Sequence, residues 1–215
     1  MFGMGGSAWK CSGLAKLRLE NNSIGDDGAT KLAEALVQCK ALTNLDVTRN
    51  KIKEQGAGRL TTLLRKCTGL RQFWMGSNIL GGTGAAGVAD VLRASCSSVV
   101  LLSLENCEIR DVGAVQIAQA LVGCASLKYL DLENNQVGDE GASKLADALA
   151  GKRALKHLNL SWNQIGDQGA GRLVDALASC WRLTRLSLLA QSTSQGETVH
   201  LDSELVEMLR WVVVR

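Results

Sequence analysis

The sequence predicts an α/β fold built as a curved array of parallel strand–helix units. Two observations carry this. The first is a repeat. Related segments begin at Leu14, Leu42, Leu70, Val99, Leu127, Leu155 and Leu183, in steps of 28 residues apart from one step of 29 between Leu70 and Val99. Each copy at such a period is one structural unit, so the period is read before any local motif. The second is a change of apolar spacing inside each copy, from alternation to a helical stripe.

The copy LKYLDLENNQVGDEGASKLADAL, residues 127–149, shows the parts in order. Leu130 and Leu132 alternate with Asp131, as on a strand, and with Leu127 and Val137 they are expected in the core. Asn135 ends the strand. Its column runs Asn22, Asn50, Asn78, Cys107, Asn135, Asn163, Gln191, and stacked amides can satisfy loop backbone from rung to rung. The segment Gly138-Asp139-Glu140-Gly141 follows. Its carboxylates are read as caps for the helix they precede. In the helix, Leu145 and Leu149 share a face, and Ala142, Ala146 and Ala148 keep it slim enough for close neighbours. A carboxylate run that could pass for a metal loop is therefore a recurring part of a template.

Composition excludes several classes. The chain has 215 residues, 46% of them apolar, with no proline, so a substantial core is expected and disorder is not. A net charge of +3, well mixed along the chain, offers no concentrated basic face for nucleic acid. No apolar run approaches the ~20 residues of a membrane span, and the start MFGMGGSAWKCSG lacks the apolar core of a secretory signal. The N-x-S sequons at Asn21 and Asn159 are accordingly read as chance.

Cys11, Cys39, Cys67, Cys96, Cys124 and Cys180 each lie three residues before a repeat start, with Lys152 breaking the column. They are expected to form a buried ladder of small apolar side chains. No C-x-x-C pair suggests zinc, and no cofactor site is expected. The odd total of seven cysteines favours reduced thiols and an intracellular location, cytoplasmic by default.

With these motifs in view, the pattern LxxLxLxxNxIGDxGAxxLAxAL resembles the leucine-rich repeat in its long, ribonuclease-inhibitor-like form. Similar repeats occur in the C-terminal regions of NOD-like receptors and in the Ran GTPase-activating protein. The resemblance covers roughly residues 14–188, with Cys107 and Gln191 departing from the asparagine column and the seventh copy lacking GDxGA. It implies a right-handed β-α horseshoe of seven repeats, the parallel sheet on the concave face and helices on the convex face. It also implies protein binding. Residues 1–13 are expected as a partial cap or docking arm, 14–182 as six repeats, and 183–215 as a degenerate seventh repeat with a capping helix.

In that geometry, positions two, four and six after each repeat start face outward on the concave strands, and the seventh borders the loop. Only eight residues are Phe, Trp or Tyr, yet Trp74, Tyr129 and Trp162 fall at such positions. Leu101, His157 and Arg185 fall among them, beside an acidic strip of Glu105, Asp131 and Glu133. Tryptophan and tyrosine are enriched at binding hot spots, so these nine residues form the candidate partner surface. The alternative is that the rings fold back onto the sheet. At the ends, Phe2, Met4 and Trp9, and Trp211 and Val213, either cap the solenoid or dock into a neighbour.

His157, Asp131 and Ser161 superficially suggest a hydrolase trio, but an open sheet supplies neither pocket nor oxyanion donors, so no catalytic residue is assigned. The expectation is a non-catalytic scaffold or accessory subunit of a larger assembly, hetero-oligomeric with protein partners. The alternative is a regulator on the same concave surface, as a GTPase activator, an inhibitor or an immune sensor.

Overall fold

The computed structural model describes residues 11–180 and 182–192. Strands and helices alternate without exception: β1 (Lys16–Arg18), α1 (Gly25–Leu36), β2 (Asn44–Asp46), α2 (Glu54–Leu64), β3 (Gln72–Trp74), α3 (Gly81–Ala94), β4 (Leu101–Ser103), α4 (Arg110–Leu121), β5 (Tyr129–Asp131), α5 (Asp139–Leu149), β6 (His157–Asn159), α6 (Asp167–Leu177) and β7 (Arg185–Ser187). The strands form one open parallel sheet in the order β1 to β7. Its register follows the repeat, pairing Lys16 with Asn44, Asn44 with Gln72, and Gln72 with Leu101 across the longer step. This is the solenoid that the sequence predicts, with a strand in each of seven rungs and a helix in each of the first six among the described residues.

The core lies between sheet and helices. Leu130, Leu132, Val137, Leu145 and Leu149 of rung 5 are all buried, and the same columns are buried in rungs 2 to 6. Helices lie close because alanine and glycine line their contacts. A Cβ on Gly113 of α4 would sit 2.8 Å from the Ala85 Cβ of α3.

The amide column works as predicted, with detail. Asn163 accepts the N–H of Asn135 at 3.0 Å and of Val137 at 2.9 Å, and donates to the carbonyls of Leu132, Leu160 and Ser161. Asn78 and Asn135 repeat the pattern, and Gln191 carries it into rung 7. Rung 1 departs from it. Asn22 is exposed and bonds only its own rung, and Asn50 Oδ1 is left buried without a partner.

The acidic loops differ from expectation. Their carboxylates do not cap the helices they precede. Asp139 Oδ1 accepts Gly166 N–H at 2.8 Å and Gly169 N–H at 2.9 Å, and so caps α6 of the next rung. Asp111 does the same for α5 through Gly138 and Gly141, and Asp26 accepts Lys53 N–H at 2.7 Å ahead of α2. The stacking brings each carboxylate to the start of the following helix, where free N–H groups and the positive dipole end coincide. This explains the second glycine of GDxGA. A Cβ on Gly169 would lie 2.6 Å from Asp139 Oδ1, and one on Gly141 2.6 Å from Asp111 Oδ1.

The cysteine ladder also needs a correction. All seven thiols are free, and Cys39, Cys67, Cys124 and Cys180 are buried, but Cys11 and Cys96 are only half-buried. The extra residue of the 29-residue step lies between Ser95 and Val99, since Leu92 and Ser95 are spaced as Leu64 and Cys67 are. Ser95 therefore takes the buried place, 1% exposed, with its N–H on Leu92 O and its carbonyl accepting Val99 N–H. Cys67 makes the corresponding bonds to Leu64 and Leu70.

Three departures from the template meet at the joint between rungs 3 and 4. The extra residue is there. Gly82 replaces the capping aspartate, and Cys107 replaces the asparagine.

Candidate functional site

Each outward position of a three-residue strand lies beside its counterparts at the same level of the sheet. One line across the sheet reads Gln72, Leu101, Tyr129, His157, Arg185. The next reads Asp46, Trp74, Ser103, Asp131, Asn159, Ser187. The first line raises bulky groups and the second dips at Ser103. Together they form an open depression of about 390 Å³. It is lined by Trp74, Leu101, Tyr129, Asp131, His157 and Arg185, with Ser103 and Asn159 also on its surface.

Six of the nine predicted partner residues thus share one depression. Tyr129 and His157 stack with ring centroids 4.8 Å apart and planes 13° from parallel. Each ring limits the other's freedom, so this part of the surface is ordered before anything binds. Trp74, Leu101 and His157 are half-buried, while Tyr129 and Arg185 are exposed. Burial, followed by the Arg185 and Lys156 charges, lowers the His157 pKa.

Glu105 and Glu133 lie two residues further along their strands. The Glu105 carboxylate accepts the Ser103 hydroxyl and leans over Gly76, where a side chain would collide with it. Glu133 accepts the Asn159 amide at 2.7 Å. Between them, Asp131 accepts the Glu133 N–H at 3.0 Å. Burial, and then the Glu105 and Glu133 carboxylates, raise the Asp131 pKa against the opposing hydrogen bonds from Glu133 N–H and Asn159. None of the three carboxylates forms an ion pair among the described residues.

Trp162 stands apart, on the loop rim. It is 59% exposed, and its N–H bonds Leu189 O beside the 70% exposed Leu189 side chain. Its column, Asn21, Arg49, Ser77, Asn106, Asn134, Trp162 and Ala190, is left-handed throughout, with φ between 51° and 58°. Asparagine tolerates that conformation and tryptophan does not, at a cost of ~1 kcal/mol. The sequence reading placed Trp162 on the surface but did not see this strain, nor the Leu189 partner or the dip at Ser103.

The residues do not assemble as a hydrolase. No hydrogen bond joins His157 to Asp131 or Ser161, and the Ser161 hydroxyl accepts Leu189 N–H. Cys107 is fully buried and donates to Met75 O and Glu105 O, and burial pushes its thiol up to about 12. Among the described residues no cluster of His, Cys, Asp or Glu could hold a metal ion, and no helix is long and apolar enough to cross a membrane. Phe2, Met4, Trp9, Trp211 and Val213 lie outside the described residues.

Repeat, register and asparagine column together define a leucine-rich repeat fold. Residues 10–33, 123–146 and 152–174 match the Leucine Rich repeat family model. No curated protein matches the chain. Among solved structures it is similar to a TDR receptor, at 18% identity and TM-score 0.49 over 85% of this chain and 36% of that one. It is similar to the ectodomain of the plant membrane receptor kinase GASSHO1/SCHENGEN3 from Arabidopsis thaliana, solved with CASPARIAN STRIP INTEGRITY FACTOR 2, at 18% identity and TM-score 0.46 over 74% and 19%. It is also similar to an internalin from Listeria monocytogenes, at 17% identity and TM-score 0.49 over 92% and 59%. The chain thus spans less than two thirds of each of these, and such distant likeness carries nothing about its ligand. The leucine-rich repeat fold is a typical protein–protein interaction module.

Proposed function

We propose that the chain is a non-catalytic interaction module of the ribonuclease-inhibitor-like kind, serving as a scaffold or accessory subunit of a larger intracellular assembly. Partners dock on the concave sheet and its loop rim, with rungs 1 to 6 as the working body. A full helix in each of the first six 28- or 29-residue repeats supports the subfamily, and seven unpaired thiols support a reducing compartment.

Trp162 carries the proposal. A large apolar ring held exposed in a left-handed conformation lowers stability and gains no burial in return. Such a residue makes sense as an anchor that a partner covers. The test replaces Trp162 with asparagine, the residue found at this place in rungs 1, 4 and 5. Native mass and stoichiometric partners are measured for the full chain and for Trp162→Asn. The variant should unfold at the same or a slightly higher urea concentration and lose partner affinity by at least about tenfold. Undiminished affinity in the folded variant would overturn the proposal.

A further inference from the structure

We infer that the concave depression reads arginine: a guanidinium presented by a partner polypeptide sits over Ser103, between the Trp74 indole and the Asp131 carboxylate. This rests on the concave face being the docking surface and names what docks there.

The register supplies the notch. Trp74, Ser103 and Asp131 are direct cross-strand neighbours on one line of the sheet. Two strand spacings, roughly 10 Å, separate the backbones of the outer pair, and only a serine stands between them. The Glu105 carboxylate, fixed by the Ser103 hydroxyl, closes one end. Leu101 and Tyr129 close the other. The notch therefore has an aromatic wall, a carboxylate wall and a second carboxylate at its end.

Charge complementarity selects the occupant. Glu105, Asp131 and Glu133 crowd together without a cation among the described residues, and burial and the two neighbouring carboxylates disfavour the ionised form of Asp131. Arg185 shares the face but lies beyond His157, two strands from Asp131 and on the other line, and makes no ion pair with it. A cation from outside relieves the repulsion. A planar guanidinium does more than an ammonium, since it stacks on an indole while its donor fork engages a carboxylate.

The experiment pans a displayed library of random peptides against the full-length chain and measures affinities of synthetic copies of the selected peptides. The expected peptides share an arginine. Its replacement by lysine, or Asp131→Asn, Glu105→Gln or Trp74→Ala in the protein, each weakens binding about tenfold. Asp131→Asn keeps the acceptor for Glu133 N–H, and Glu105→Gln keeps one for Ser103, so both should fold, with the urea midpoint as the check. Peptides without arginine, or with interchangeable lysine, overturn the inference. So does binding that survives Asp131→Asn and Glu105→Gln but is lost in Tyr129→Ala and Trp162→Asn, and that result leaves the docking face intact. Binding indifferent to Trp74, Tyr129 and Trp162 alike overturns both.

Discussion

Replacing Asp139 with alanine tests the cross-rung capping directly. One carboxylate oxygen serves two backbone donors at the start of α6, Gly166 N–H at 2.8 Å and Gly169 N–H at 2.9 Å. Both bonds are part-buried, so water replaces them poorly. Loss of a helix-capping acceptor costs ~1 kcal/mol, and loss of a negative charge at the helix N-terminus ~0.5 kcal/mol more. With two donors orphaned, the expected cost is about 2–3 kcal/mol. Asp26→Ala is the internal control. Asp26 accepts only Lys53 N–H, at an exposed site, so its removal should cost about 1 kcal/mol. Urea unfolding followed by circular dichroism gives the totals. Amide exchange gives the location, since Gly166 and Gly169 should exchange faster although the mutation lies in another repeat. If Asp139→Ala costs no more than Asp26→Ala, or leaves those amides protected, the carboxylate does not hold the next helix.

Three further expectations follow from the same geometry. Cys107→Asn should stabilise the chain by about 1 kcal/mol in urea unfolding, because an amide replaces a weakly bonding thiol in a column where Asn78 and Asn135 already fit. Arg110→Gly should stabilise by about 0.5–1 kcal/mol, since Arg110 is left-handed at φ 55° where rungs 1 and 3 place Gly25 and Gly81. Burial pushes the Cys39 and Cys124 thiols up to about 11 and Cys107 to about 12, above the ordinary 9.0. These thiols stay neutral in the folded chain at pH values where the unfolded chain ionises. Their contribution is fully present below pH 9 and lost as pH rises through 11 to 12. The urea midpoint should hold to about pH 8.5 and fall by about pH 10, and alkylation mapped by mass at mild pH should reach Cys11 and Cys96 first. A midpoint unchanged into that alkaline range, or early alkylation of Cys107, would contradict the burial of these thiols.

The repeat made most of the fold legible. Once the starts at Leu70 and Val99 are set 29 apart, the register places Trp74, Ser103 and Asp131 side by side without coordinates. What the sequence reading missed depends on neighbours in space. Asp139 stands between Gly138 and Gly141 in the chain, yet its hydrogen-bonded glycines are in the following rung. The extra residue could be counted but not located, and only the bonds of Ser95 show that it displaces Cys96. The strain at Trp162 was partly readable, since its column begins with asparagine and holds it twice more. That regularity signals a left-handed position. A side chain's fit to it becomes clear only from the dihedral.

The joint between rungs 3 and 4 bears on the mechanics of the horseshoe. There the sheet hydrogen bonds remain, as between Met75 N–H and Ser103 O, and Gly113 lets α4 settle against α3. Gly82 offers no carboxylate hook, and Cys107 gives a thiol bond to Met75 O where asparagine would give several. The joint is thus tied by fewer side-chain bonds than the one between rungs 5 and 6, where Asn163 and Asp139 together make five that cross between rungs. The concave notch spans this joint, with Trp74 on one bank and Ser103 and Asp131 on the other, so whatever fills it also ties the two banks together.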